Sequence, residues 1–286
     1  MAIVGNEPAT VMSFSETPVI GPAPDFDREK RRRTLRRVWP PVVSIGGFLL
    51  IWEYFGLHSN PLLIPTPVAV VQSLADITRN GPLLGSVGDS AKDLFTGLGI
   101  AIVTGIVLGV LLGQSEIADR MFSPFVNFMN ATPLVALIPI IIIWLGIGFE
   151  ARVFFVWMIS VWAVLVNTLT GVRNVDKSYV EVAQSFGLSQ WQLIRKITLP
   201  AATPYVLAGL RLALGHALIG MLIGEMDMQL AGLGGLAINY GNDFQTADLL
   251  AVIAVTSLFG ILFVALLKVI QNIYFPWILA LARSRK

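Results

Sequence analysis

The side chains able to do chemistry are few and scattered. The chain has no cysteine, which removes disulfides, thiolate nucleophiles and Cys-based metal sites together. Its two histidines, His58 and His216, lie far apart and match no metal-ligand spacing. No Gly-x-x-x-x-Gly-Lys-[Ser/Thr] phosphate loop is present, so nucleotide chemistry would have to reside on another polypeptide. What remains is Arg211, His216 and Glu225, within or at the ends of one apolar run. Ionisable groups are costly in lipid, which makes these three candidates for lining a solute path. Each has a second reading. Arg211 can snorkel to an interface, His216 can be a neutral packing histidine, and Glu225 can cap the outer end of its span.

The elements that would position these residues are membrane helices. Of 286 residues, 55% are hydrophobic and only 13% charged, a balance foreign to ordinary soluble proteins. The apolar residues are gathered into runs long enough to cross a bilayer as helices. Six spans are expected, at about 38–57, 85–113, 121–146, 153–170, 204–223 and 247–281, which gives an all-α membrane protein. Residues 1–37 read as a disordered basic cytoplasmic tail and 38–286 as the transmembrane domain. The first span is longer than a signal-peptide core and lacks a small-x-small cleavage site, so it reads as an uncleaved anchor. In the second span Gly105, Gly109 and Gly113 put small residues on one face, where another helix can approach. In the third, Pro124, Pro133 and Pro139 predict kinks or a break. The sixth exceeds the bilayer thickness and must project from it or tilt.

Lysine and arginine set the orientation. Six spans put both termini on one side with the 114–120 and 171–203 connections. That side holds the 28–37 cluster together with Arg120, Arg173, Lys177, Arg195, Lys196, Arg283, Arg285 and Lys286. The opposite connections hold Arg79 and Arg152, with Lys92 near the boundary. By the positive-inside rule the first set is cytoplasmic, as are both termini.

The 171–203 connection is too polar to span and too long for a simple turn. Ser178-Tyr179-Val180-Glu181 and Ser189-Gln190-Trp191-Gln192 both have capping-box spacing, and Gly187 suits the left-handed position that closes a helix. Two short helices joined at Gly187 are predicted, with Thr203-Pro204 as the start of the fifth span. Ala183 and Gly187 give the first helix a small-residue face that another protein could approach. A helix-turn-helix of this size could suggest DNA binding. Its tethering to membrane spans on both sides argues instead for protein docking, with no nucleic-acid partner.

Glu181-Val182-Ala183, then Gly187, then Ile197-Thr198-Leu199-Pro200 resembles the EAA loop of binding-protein-dependent ABC importer permeases, with Val182 in place of the first alanine. Leu63-Ile64-Pro65-Thr66-Pro67, Pro133–Pro139, Trp144–Gly148 and Gly232-Leu233-Gly234-Gly235 resemble the nitrate/sulfonate/taurine/bicarbonate subgroup, and together they extend the likeness over about 40–280. The resemblance implies the type I importer permease fold, with the loop as a coupling helix seated in a groove of an ATPase subunit. Glu181, Val182, Ala183 and Gly187 would then form the docking core, and Ile197, Leu199 and Pro200 would fix the loop to the fifth span. It also implies an ABC ATPase dimer that carries ATP and Mg, a second permease copy with a homodimer as the simplest assembly, and a separate substrate-binding protein. The chain itself would bind no cofactor or metal and would be no enzyme. A small anion such as nitrate, a sulfonate, taurine or an organic acid is the implied cargo, in a bacterial inner membrane. The competing class is a self-driven secondary transporter, which would usually show paired broken helices in an internal repeat; only one such loop occurs here.

Overall fold

The computed structural model describes residues 26–274 except 229, and these are mostly helical with no strand among them. The chain divides into two units, residues 1–51 and 52–286. Helix α1 (Phe26–His58) contains Pro40 and Pro41. Its start at Phe26 makes the 26–37 part of the expected tail helical; residues 1–25 lie outside the described region, as do 275–281 of the sixth span.

In the second unit, the indole N–H of Trp52 donates to the Pro65 carbonyl at 2.9 Å and fixes the turn that leads into α2 (Pro67–Arg79). Thr66 caps that helix by accepting from Ala69 N–H, with Pro67 in its first turn. The Leu63–Pro67 motif is thus a helix-entry device. Among the described residues, five helices are long and apolar enough to cross a membrane, or six if the bent pair at 120–145 counts as one span.

The bundle is built on α3 (Leu83–Gln114), α6 (Phe149–Arg173) and α9 (Leu199–Met228). The expected glycine stripe is what joins α3 to α6. A Cβ on Gly97, Gly105, Gly109 or Gly113 would sit 2.6–2.7 Å from Val156, Val164, Thr168 or Val172 respectively. Both series rise together, so the two helices run parallel and close, in the small-residue packing that lipid-embedded helices favour. Between α6 and α9 the series is reversed. Gly171 meets Tyr205, Gly209 meets Asn167, and Gly224 lies against Phe155 and Arg152, so that pair is antiparallel. Phe155, Val156 and Val164 are fully buried between the neighbours.

The third span is broken. Helix α4 (Glu116–Ala131) and the segment Leu134–Leu145 are bent by 92°. Pro133 opens a 3-10 turn, Leu134–Leu137, and Pro139 lies in the first turn of α5 (Ile138–Leu145). Proline supplies no N–H, so each sits where the helical ladder is interrupted anyway.

Two expected starts are corrected. The first loop helix is α7 (Lys177–Ser185), and its cap is Asp176, whose carboxylate accepts from Ser178 N–H at 2.9 Å. Ser178 is therefore already inside the helix and Ser178–Glu181 is not the capping box. An aspartate just upstream outcompetes a serine because its charge also opposes the positive helix end. Accepting that N–H holds the Asp176 carboxyl below its ordinary 3.8. Likewise Thr203-Pro204 does not start the fifth span. Helix α8 (Gln190–Leu193) runs through a π turn at Ile194–Thr198 into α9, with Pro204 inside and the Thr203 hydroxyl bonded back to the Leu199 carbonyl. The turn nucleated at Ser189 carries the chain past the later signal.

The 224–246 connection is also more structured than expected. Helix α9 continues to Met228, α10 occupies Gly232–Asn242, and α11 runs Thr246–Tyr274.

Candidate functional site

The 177–200 region is positioned by well-made local chemistry. The second capping box is complete: the Ser189 hydroxyl accepts from Gln192 N–H at 3.4 Å, and the Gln192 side chain accepts from Ser189 N–H at 2.9 Å. Gly187 has φ +70. Its N–H and that of Leu188 return to Gln184 and Ala183 carbonyls, which closes α7 with a left-handed residue. The outcome is a paired-helix element, capped at both starts and continuous with the base of α9.

The exposed face of that element differs from the small-residue face expected. Ala183 is buried within the chain, whereas Tyr179, Val182 and Phe186 are exposed, Phe186 at 80%. These residues border an apolar groove of about 710 Å³ that also takes in Ile197 and Pro200. Glu181 and Gly187 are exposed beside it, and Leu199 is exposed at the first turn of α9. A second, polar cavity of about 690 Å³ lies behind the element, lined by Gln114, Arg120, Arg173, Gln184 and Gln190.

The three candidate path residues are not brought together. Arg211 is bonded through its guanidinium to the Gln271 side chain of α11. His216 is exposed and lines a cavity of about 220 Å³ at the break between α4 and α5, with Asn130, Thr132, Trp162 and Ile219. Glu225 is not a solvent-facing end cap. It is fully buried and accepts from Gly234 N–H of α10 at 2.8 Å.

Glu225 belongs to a polar cluster that the sequence did not announce. Arg152 of α6 makes a buried ion pair with Asp93 of α3, Nε to Oδ2 at 2.6 Å. Ser90 of α3 accepts from Leu233 N–H at 2.9 Å. The available signal was Asp93 itself, an acid within an otherwise apolar span. Arg152, read as a residue of an external connection, is in fact enclosed in α6. Among the described residues there is no cluster of three or more His, Cys, Asp or Glu side chains that could hold a metal ion.

The architecture is a membrane bundle with a capped, apolar-faced paired helix at one end and a buried ionic cluster at the other. The profile of the family described as "Binding-protein-dependent transport system inner membrane component" matches residues 101–279. The chain belongs to that family. It is 29% identical over 238 residues to the formylaminopyrimidine transport permease protein ThiX of Halalkalibacterium halodurans, covering 83% of this chain and 95% of that one. It is also 29% identical over 249 residues to the putative aliphatic sulfonates transport permease protein SsuC of Escherichia coli K12, covering 86% and 94%. A crystal structure of an amino acid ABC transporter with histidines aligns with a TM-score of 0.56 at 18% identity, over 70% of this chain and 97% of that one. That likeness bears on the fold, which is that of the type I importer permeases. As a family member the chain is a multi-pass inner-membrane permease component of a transport system.

Proposed function

We propose that this permease is driven by a separate ATPase subunit seated against α7, and that it conducts a small anion delivered by a separate binding protein. The observation that carries the reading is the α7–α8 element. It is capped at both starts, closed by Gly187, bordered by exposed Tyr179, Val182 and Phe186, and continuous with the long helix α9. A stiff element of this kind transmits motion; a loose loop would absorb it. In this reading α7 is cytoplasmic, in keeping with the lysine and arginine asymmetry. Glu181, Val182 and Gly187 contact the ATPase, Ala183 supports them from inside, and Ile197, Leu199 and Pro200 join the dock to α9. Two copies pair in the membrane as a homodimer, and ATP and Mg reside on the ATPase.

The translocation path runs past His216 and the broken α4–α5 span. Broken helices are tolerated at membrane depth where they border a cavity, and this cavity has no acidic residue in its lining. Arg211 and Glu225 bear on the path indirectly, one tying α9 to α11 and the other holding α10. The putative aliphatic sulfonates permease SsuC and a further relative, the taurine transport system permease protein TauC of Escherichia coli K12, support a small anion such as a sulfonate, nitrate, taurine or an organic acid as cargo.

The test is co-purification with an ATPase subunit, followed by uptake into reconstituted vesicles. Vanadate-sensitive uptake that requires the binding protein is expected. Uptake without ATPase, driven by an ion gradient, would establish a secondary transporter instead.

A further inference from the structure

We propose that Glu225 and Ser90 form a releasable latch on α10 that closes the path at the end opposite the dock, with α9 as the rod that works it; this rests on the driven-permease reading above. Helix α10 cannot cap itself, because its N-cap is Ala231 and no side-chain cap bond is made there. Its first free N–H groups are taken by other helices: Leu233 N–H by Ser90 of α3 and Gly234 N–H by Glu225 of α9. The Gly-Leu-Gly-Gly motif is what permits this. A Cβ on Gly232 would sit 2.3 Å from Glu225 Oε1 and 2.6 Å from Ser90 Oγ, and one on Gly234 would sit 2.5 Å from the Leu222 carbonyl. The glycines let the helix end enter a socket built by α3 and α9.

The same socket carries the means of its release. Glu225 is fully buried; it takes the Gly234 N–H, and the Ser90 hydroxyl, which holds the Leu233 N–H, is its other polar neighbour in the socket. The bonds that hold the start of α10 are exchanged for bonds to water on opening, so their release costs far less than their strength in isolation. Both flanks of α10 carry left-handed non-glycine residues, Leu230 at φ 50 and Phe244 at φ 56. Such positions are strained and are found at elements that switch. Helix α9 has thirty residues and a length of about 45 Å. It bears the dock at its first turn and Glu225 near its last, where Gly224 packs on Arg152. A tilt imposed at the dock is delivered directly to the latch.

The test uses the absence of native cysteine. Ala251 of α11 is fully buried in the cluster that holds Leu233 and Leu236 of α10, so Ala251→Cys reports whether α10 has lifted. The full transporter, in proteoliposomes with its ATPase and binding protein, is treated with a membrane-impermeant maleimide from the side opposite α7. Labelling is expected to be slow at rest and at least about tenfold faster after vanadate trapping. Adding Glu225→Ala is expected to raise the resting rate by a similar factor while ATPase association persists. Equal rates at rest and when trapped, or a resting rate unmoved by Glu225→Ala, would overturn the latch. If Glu225→Ala is not recovered from the membrane, Ser90→Ala removes one bond only; a smaller resting rise is expected, and none would overturn the proposal. Failure of the Ala251→Cys parent to associate with an ATPase would count against the driven-permease reading, and the resting comparison would still test the latch.

Discussion

Removing Arg152 should be far more damaging than removing the Asp93–Arg152 pair. Both partners are enclosed, with side-chain exposures of 1% for Asp93 and 6% for Arg152, and the contact is 2.6 Å. Arg152→Met leaves a carboxylate buried among α3, α6 and α9 without its counter-ion. Breaking one partner of a buried pair costs about 3–5 kcal/mol, whereas replacing both by apolar residues of similar volume is often neutral or better. At about 2–4 °C per kcal/mol for a body of this size, the single variant should melt roughly 6–20 °C lower. Asp93→Leu combined with Arg152→Met should return to within a few degrees of the parent. The assay is the apparent melting temperature in detergent at one scan rate, read by fluorescence-detected size exclusion. Should the double variant melt as low as Arg152→Met, the loss would come from packing or from other bonds of Arg152, and the unpaired-charge reasoning would be refuted.

Further perturbations probe the α3–α6 seam and the α7 dock. Gly109→Val drives branched carbon into Thr168, where even a Cβ comes to 2.6 Å; overpacking of about 1–3 kcal/mol is expected, with lower yield of folded protein and no selective effect on ATPase association. Gly187→Leu forces a side chain onto φ +70, and it should leave membrane insertion intact while pull-down of the ATPase falls, as should Glu181→Lys; normal transport by both would remove the dock from α7. The Asp176 carboxyl is held below its ordinary value by the Ser178 N–H. The sign follows: the cap is fully present above pH 3.8 and is lost only as pH falls through the lower folded value, so ATPase association should show no loss from this group between about pH 5 and 8. Asp176→Ala should weaken it at every pH, and a pull-down series across that range checks both statements.

How much was legible follows from the range of the interactions. Ser189–Gln192 and Gly187 were readable because each is settled within a few residues, where type and spacing determine geometry. The stripe of Gly105, Gly109 and Gly113 was readable as a close-approach face, but its partner on α6 was not, since a single chain does not say which helix fills a groove. Ser178 and Pro204 misled for a related reason. Each carries a sound local signal, yet Asp176 stands two residues earlier with a stronger one, and the helix nucleated at Ser189 arrives before Thr203 can start another. Local rules rank candidates; they do not announce the competitor that wins.

The buried cluster was hidden because its partners are far apart in sequence. Asp93 and Arg152 are separated by 59 residues, and Ser90 and Leu233 by 143. Glu225 looked like an end cap because the chain after it is rich in glycine and acid, which reads as a loop. Those glycines instead bring the first turn of α10 onto the Glu225 carboxylate. One helix, α9, therefore joins the best-read part of the sequence to the worst-read part. Its first turn emerges from capped local structure; near its last turn a buried acid holds the start of another helix. If the permease is driven from α7, the motion reaches the far end through that rod, and a variant at Glu225 should uncouple the two ends without disturbing the dock.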